Sequence, residues 1–265
     1  MGPEPGGRGA TALDETHGPE LSVAAGMLGR VLSAVLDLVL PSSCAGCGGQ
    51  GASCCPRCFG ALTAAPAARP PDPVPPGLPD CWSAARYEGA VRRLLVAYKE
   101  RGLVVLAGVL AEALTQTVVA ASREGGHRLP DRGLAVVPVP SAWRSRRGRG
   151  HDHVGRLAGL VAGRLRQAGL AAEVWRGLRH TGRVADQAGL SGPERVANLA
   201  GSLQVTAAAN GPPGAFALLV DDIVTTGATL AEAARALRSS GLHVPLAVTV
   251  GATRRISQKS YGDGR

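Results

Sequence analysis

The stretch Ala217-Leu218-Leu219-Val220-Asp221-Asp222-Ile223-Val224-Thr225-Thr226-Gly227-Ala228-Thr229 decides how the chain is read. Its apolar opening predicts a buried strand over 215–220, and the spacing after it predicts a helix over 228–239. Two adjacent carboxylates and a hydroxyl- and glycine-rich turn join them. In an open α/β sheet, ligands bind at the carboxyl ends of the strands, where this turn sits. The N–H groups of the turn and of the helix start can hold a phosphate. Thr225, Thr226 and Thr229 add hydroxyl donors, and Gly227 lets the backbone come close.

Two acids beside a phosphate cradle are contradictory unless the ligand brings hydroxyls or a metal. A sugar phosphate satisfies both conditions: carboxylates accept from ribose hydroxyls, and Mg2+ offsets their charge. An Asp-Asp pair alone reads more simply as a helix cap. The thirteen-residue pattern as a whole does not.

Working outward, apolar spacing predicts helices over 91–98, 103–122 and 153–168, and strands over 135–139, 172–175, 203–206 and 244–250. Strand and helix in alternation argue a parallel sheet with helices on its faces. Upstream, residues 64–79 (AAPAARPPDPVPPGLP) read as a semi-rigid linker. Leu28, Val31, Leu32, Val35, Leu36 and Val39 recur at helical spacing, and a start at Met27 would make 1–26 dispensable. The expected organisation is an extension over 1–26, an amphipathic helix with a cysteine element over 27–63, the linker over 64–80, an α/β domain over 81–256 and a tail over 257–265.

Cys44-Ala-Gly-Cys47 and Cys55-Pro-Arg-Cys58 form two C-x2-C pairs. Such pairs supply the four ligands of a closed zinc site, whose role is structural because no position stays open. Cys54 competes with Cys55 for the third place, and the spacing favours Cys55. Disulfides would need an oxidising compartment, which the absence of a convincing signal peptide argues against. Cys81 stands apart and reads as a small buried hydrophobe.

Composition sets the outer bounds. The chain has 265 residues, 45% of them hydrophobic and only 3% aromatic, enough for a core built from Ala, Val and Leu. No uncharged apolar run reaches 18 residues, so a membrane span is not expected and the expected location is cytoplasmic. The net charge of +9 invites a nucleic-acid reading, but an Arg excess amid so much Ala, Gly and Pro reads as codon composition. Lys99 is the only Lys in the body of the chain, so it reads either as a compact charge near a phosphate or as an exposed helix end.

The 217–229 segment resembles the 5-phosphoribosyl-1-pyrophosphate (PRPP) motif of the type I phosphoribosyltransferases. The order of Arg86-Tyr87-Glu88-Gly89, Tyr98-Lys99-Glu100-Arg101-Gly102, Val137-Pro138-Val139-Pro140, Arg149-Gly150-His151-Asp152-His153, Asp186-Gln187-Ala188-Gly189-Leu190 and Arg195-Val196-Ala197-Asn198 resembles the ComF (competence protein F) family. The resemblance covers about residues 28–252 and implies a type I phosphoribosyltransferase-like parallel sheet flanked by helices, with a small N-terminal zinc knuckle. Many members carry Arg-Gly-Phe-Asn-Gln where this chain has Arg149 to His153, so an amide becomes the Asp152 carboxylate.

The resemblance implies PRPP with Mg2+ as ligand, and Asp221 and Asp222 as the catalytic acids on the ribose hydroxyls. It implies a PRPP-binding set of Asp221, Asp222, Val224, Thr225, Thr226, Gly227, Ala228 and Thr229. Lys99, Arg149, Gln187, Arg195 and Asn198 are candidates for pyrophosphate or covering-loop contacts. The expected activity is phosphoribosyl transfer to an acceptor no motif identifies, a nucleobase or something else. No general base has a convincing spacing. The alternative is a PRPP-binding, single-stranded-DNA-associated accessory of DNA uptake with little or no turnover, in which Arg144, Arg146 and Arg147 offer a basic patch.

Overall fold

The structure is a computed structural model that describes residues 43–130, 133–140, 152–181, 201–206 and 216–254. Its strands are β1 (Ala67–Ala68), β2 (Asp80–Arg86), β3 (Leu134–Pro138), β4 (Ala172–Val174), β5 (Leu178–His180), β6 (Leu203–Val205), β7 (Phe216–Val224) and β8 (His243–Ala252). The helices are α1 (Pro56–Thr63), α2 (Gly89–Lys99), α3 (Ala107–Glu124), α4 (His153–Gln167) and α5 (Ala228–Arg238).

Six strands form one sheet in the order β1-β2-β8-β7-β3-β4, parallel throughout except for β1. This is the α/β architecture expected from the alternation. Because successive strand residues point to opposite faces, Leu218 and Val220 of β7 join one buried cluster and Ala217 and Leu219 the other. The first cluster holds α2, α3 and α4; the second holds α5.

Adjacent strands β3 and β7 therefore send their connections opposite ways. From β3 the chain passes through α4 to β4, and from β7 through α5 to β8, on the other face and toward the other edge. Their carboxyl ends part at a topological switch point, the place where open sheets bind ligands.

Several elements escape sequence patterning. The strand β2 reads DCWSAAR, poor in β-branched residues, yet five of its seven residues are buried. The pair β5–β6 forms a separate antiparallel ribbon. Buried Glu232 of α5 fixes that ribbon by accepting from the Leu203 N–H (3.1 Å), while Arg235 donates to the Leu203 carbonyl (3.2 Å). Within the stretch expected as a linker, Ala67–Ala68 pairs with Trp82–Ser83, and Arg69 donates to the Ser83 carbonyl at 2.6 Å.

The segment Val104–Glu124 is long and apolar enough to cross a membrane by composition. Over half of its most apolar window is buried in protein, and Leu110, Ala111, Leu114, Val118 and Ala121 are fully covered. Its hydrophobicity is spent on the core.

Candidate functional site

The strand β7 outruns its neighbour. Pro138, the last residue of β3, lies opposite Val220, whereas among the described residues Asp221, Ile223 and Val224 pair with Thr249, Gly251 and Ala252 of β8 alone. The acids thus belong to the strand itself, which ends four residues beyond the expected 220, on a segment that among the described residues pairs with β8 alone. Alternation sends Asp222 to the face of α2 and Asp221 to the face of α5.

Asp222 is 4% exposed, and the Lys99 ammonium lies 2.7 Å from its Oδ2. Burial opposes the charge on Lys99, but Asp222, Asp221 and Glu100 more than offset that and hold its pKa above the usual value. Lys99 is therefore a half-buried, ion-paired cation and not an exposed helix end. Asp221 accepts the N–H of Asp222 at 2.8 Å. Burial and the neighbouring Asp222 carboxylate push its pKa well above the usual carboxylate range.

After β7 the chain turns at Gly227, whose φ of +72° is the left-handed conformation that favours glycine, and enters α5. Thr225 is exposed, Thr226 and Thr229 are half-buried, and Ala228 is buried. The Ala228 N–H points at Thr226 Oγ1 over 3.4 Å, a long bond that an incoming anion can displace. Val224 lies in the core at 2% exposure, and its carbonyl accepts from the Thr253 N–H at 3.0 Å. Pro71, Pro75 and Leu78 lie against Gly227, a contact no local pattern announced.

The cysteine element is closed. The sulfurs of Cys44, Cys47, Cys55 and Cys58 all lie within 4.8 Å of one another, and Cys47 and Cys55 are 3.7 Å apart. Zinc–sulfur bonds of about 2.3 Å in a tetrahedron require sulfurs about 3.8 Å apart. The four thiols therefore fit a zinc ion. Burial would raise the Cys44 thiol, but the N–H groups of Cys55, Cys47 and Gly46 outweigh it and bring its pKa to about 6. Cys54 is outside the cluster, its thiol directed at the Cys55 carbonyl and raised to about 11 by burial and the neighbouring thiols. Cys81 is 3% exposed in the sheet, its thiol raised to about 12 by burial and by Asp221.

Asp152 caps α4, accepting the Gly155 N–H at 2.9 Å, and pairs with Arg176. An Asn there would keep the cap and lose the ion pair, which is what the departure at Arg149 to His153 changes. Arg144, Arg146, Arg147, Arg149, Gln187, Arg195 and Asn198 lie outside the described residues. A hollow between α1, β2 and the start of α2, lined by Arg69, Arg86 and Glu88, holds none of the expected site residues.

A mostly parallel sheet with acids and a left-handed glycine turn at its switch point, together with four clustered thiols that can hold a metal ion, defines the chain as an α/β protein with a small cysteine element. No family model matches the chain. It is 32% identical over 206 residues to the DNA utilization protein YhgH of Salmonella typhimurium, a match covering 76% of this chain and 84% of that protein. The chain belongs to the family of that protein, in agreement with the ComF resemblance of its motifs.

Proposed function

We propose that the chain binds PRPP through the 221–229 segment and works in the handling of DNA. The observation that carries this reading is the carboxyl end of β7, where Asp221 and Asp222 shortly precede the amides opening α5. The carboxylates accept from the ribose hydroxyls, and the N–H groups after Gly227 with the Thr225, Thr226 and Thr229 hydroxyls take the 5-phosphate. Magnesium fits the oxygen donors of such a site; Asp221 is the side chain that would share it with the ligand phosphates, and the ion would offset pyrophosphate charge.

If turnover occurs, the bond from ribose C1 to pyrophosphate breaks, the electron pair leaves with pyrophosphate, and the acceptor forms the new bond at C1. The protein's part is to hold the sugar by its hydroxyls, fix the 5-phosphate and keep the reacting carbon aligned. The test is pyrophosphate release from PRPP across a panel of nucleobases. Release with one acceptor, abolished in Asp222→Asn, establishes phosphoribosyl transfer.

The name of the YhgH relative refers to DNA utilization, and a second reading is a PRPP-binding DNA accessory without turnover. Its signature is PRPP binding with no release across the panel, together with single-stranded DNA affinity that falls steeply with salt. Failure of PRPP to bind removes both readings.

A further inference from the structure

We propose that Lys99 is a built-in counter-charge of the ligand site. Its ammonium neutralises Asp222, so a pentose 5-phosphate binds without a divalent cation, and any magnesium requirement arises from the pyrophosphate group alone. The proposal rests on the reading above that the 221–229 segment takes PRPP.

The argument starts from charge. Two ionised carboxylates beside phosphate-binding amides repel a phosphorylated ligand, and repulsion between partly buried groups is only weakly screened. A divalent ion is the usual remedy, and here the chain supplies its own. The Asp222 side chain is 6% exposed and the Lys99 ammonium meets it at 2.7 Å. Asp221 points to the opposite face of the sheet. The Lys99–Asp222 ion pair thus meets the ligand with close to no net charge, in place of the negative charge of Asp222 alone.

Lys99 is held where it is needed. It is the last residue of α2, whose Leu94, Leu95, Ala97 and Tyr98 are at most 1% exposed. The Tyr98 hydroxyl donates to the His153 carbonyl at 2.8 Å, and its ring lies 5.5 Å from the His153 ring. This ties the end of α2 to the start of α4, across the switch point. An ammonium has three N–H donors, and Asp222 occupies one of them. The Lys99 side chain is 32% exposed, so the others can reach a ligand oxygen.

The test measures affinity by calorimetry, with ribose 5-phosphate as the probe because it carries the pentose and 5-phosphate without pyrophosphate. PRPP is titrated in parallel. Wild-type protein is expected to bind ribose 5-phosphate equally well, within twofold, with magnesium or with chelator. Lys99→Met, checked for folding by its melting curve, is expected to lose at least tenfold in chelator and to regain most of that with magnesium. Lys99→Arg, which keeps the charge, is expected to retain magnesium independence; this variant keeps the test decisive if the unpaired Asp222 unfolds Lys99→Met. Magnesium-dependent ribose 5-phosphate binding by the wild type overturns the proposal, as does undiminished binding by Lys99→Met in chelator. PRPP binding alongside either result leaves the parent reading intact, whereas absence of binding by both ligands removes the parent reading and this inference together.

Discussion

Pro71 closes over Gly227: a Cβ placed on that glycine would meet Pro71 Cγ at 2.9 Å, with Pro75 Cγ at 3.2 Å and a Leu78 methyl at 3.3 Å. Position 227 is thus restricted twice, by its φ of +72° and by the wall of prolines. The turn that opens α5 thus has an upstream segment packed tightly against it. Arg238 of α5 secures that segment further by donating to the carbonyls of Gly77 and Val244.

Gly227→Ala is accordingly expected to cost about 2 kcal/mol, the scale of one side chain forced into left-handed backbone. PRPP affinity should fall at least tenfold, because the displaced turn no longer aims its amides. Denaturant melts and calorimetry on the same sample check both. A variant that is as stable as the wild type and binds as well would contradict the account.

The knuckle should carry about one zinc per chain, and Cys58→Ser should lose it. Gly46 is wedged between Cys58 and Ala90, and Arg93 donates to the Gly46 carbonyl, so the knuckle is also the support for the start of α2. Metal loss is expected to lower stability by about 3 kcal/mol, or roughly 9 °C in melting temperature for a chain of this size. Hydrogen exchange should rise first in α2. Elemental analysis with thermal melts decides it; a metal-free protein melting at the wild-type temperature would count against a structural ion.

Much of this site was legible in the sequence, because a strand, two acids, a glycine turn and a helix are consecutive in the chain. The two C-x2-C pairs were legible for the same reason. What stayed hidden depends on residues far apart. Nothing near Lys99 names Asp222 as its partner, and nothing near Gly227 points to Pro71. The strand β2 was missed because Ala and Ser carry little β-propensity, and its burial comes from lying between β1 and β8. The length of β7 was underestimated because charged residues read as a strand end, although pairing with β8 continues past them.

Asp221 predicts a stability gain set against binding. Its folded-state pKa is raised by burial and Asp222, so the folded form holds a proton that the unfolded chain releases near its ordinary value. Its contribution is fully present below that ordinary value and is lost as pH rises toward the folded value. Asp221→Asn should therefore stabilise the protein at neutral pH by about 1 kcal/mol, the common scale for relieving one strained group in a site. The gain should vanish in acid, while PRPP affinity falls. Melting curves across pH check the sign; a variant that is less stable at neutral pH would refute it.

The DNA side of the account makes a separate demand on Arg144, Arg146 and Arg147. If these contact a single-stranded backbone, replacing all three with Ala should reduce the slope of log affinity against log salt by about 2, since each phosphate contact contributes roughly 0.7. Fluorescence anisotropy over a salt series measures this. An unchanged slope would place the DNA contacts elsewhere on the molecule.

The central claim is that the carboxyl end of β7 grips a phosphorylated pentose. Calorimetric titration of PRPP into the wild-type chain at saturating magnesium, repeated with Asp222→Asn, tests it most directly. The account predicts one PRPP per chain for the wild type and none for the variant. Heat indistinguishable from dilution in the wild type, or equal binding by the two proteins, would contradict it.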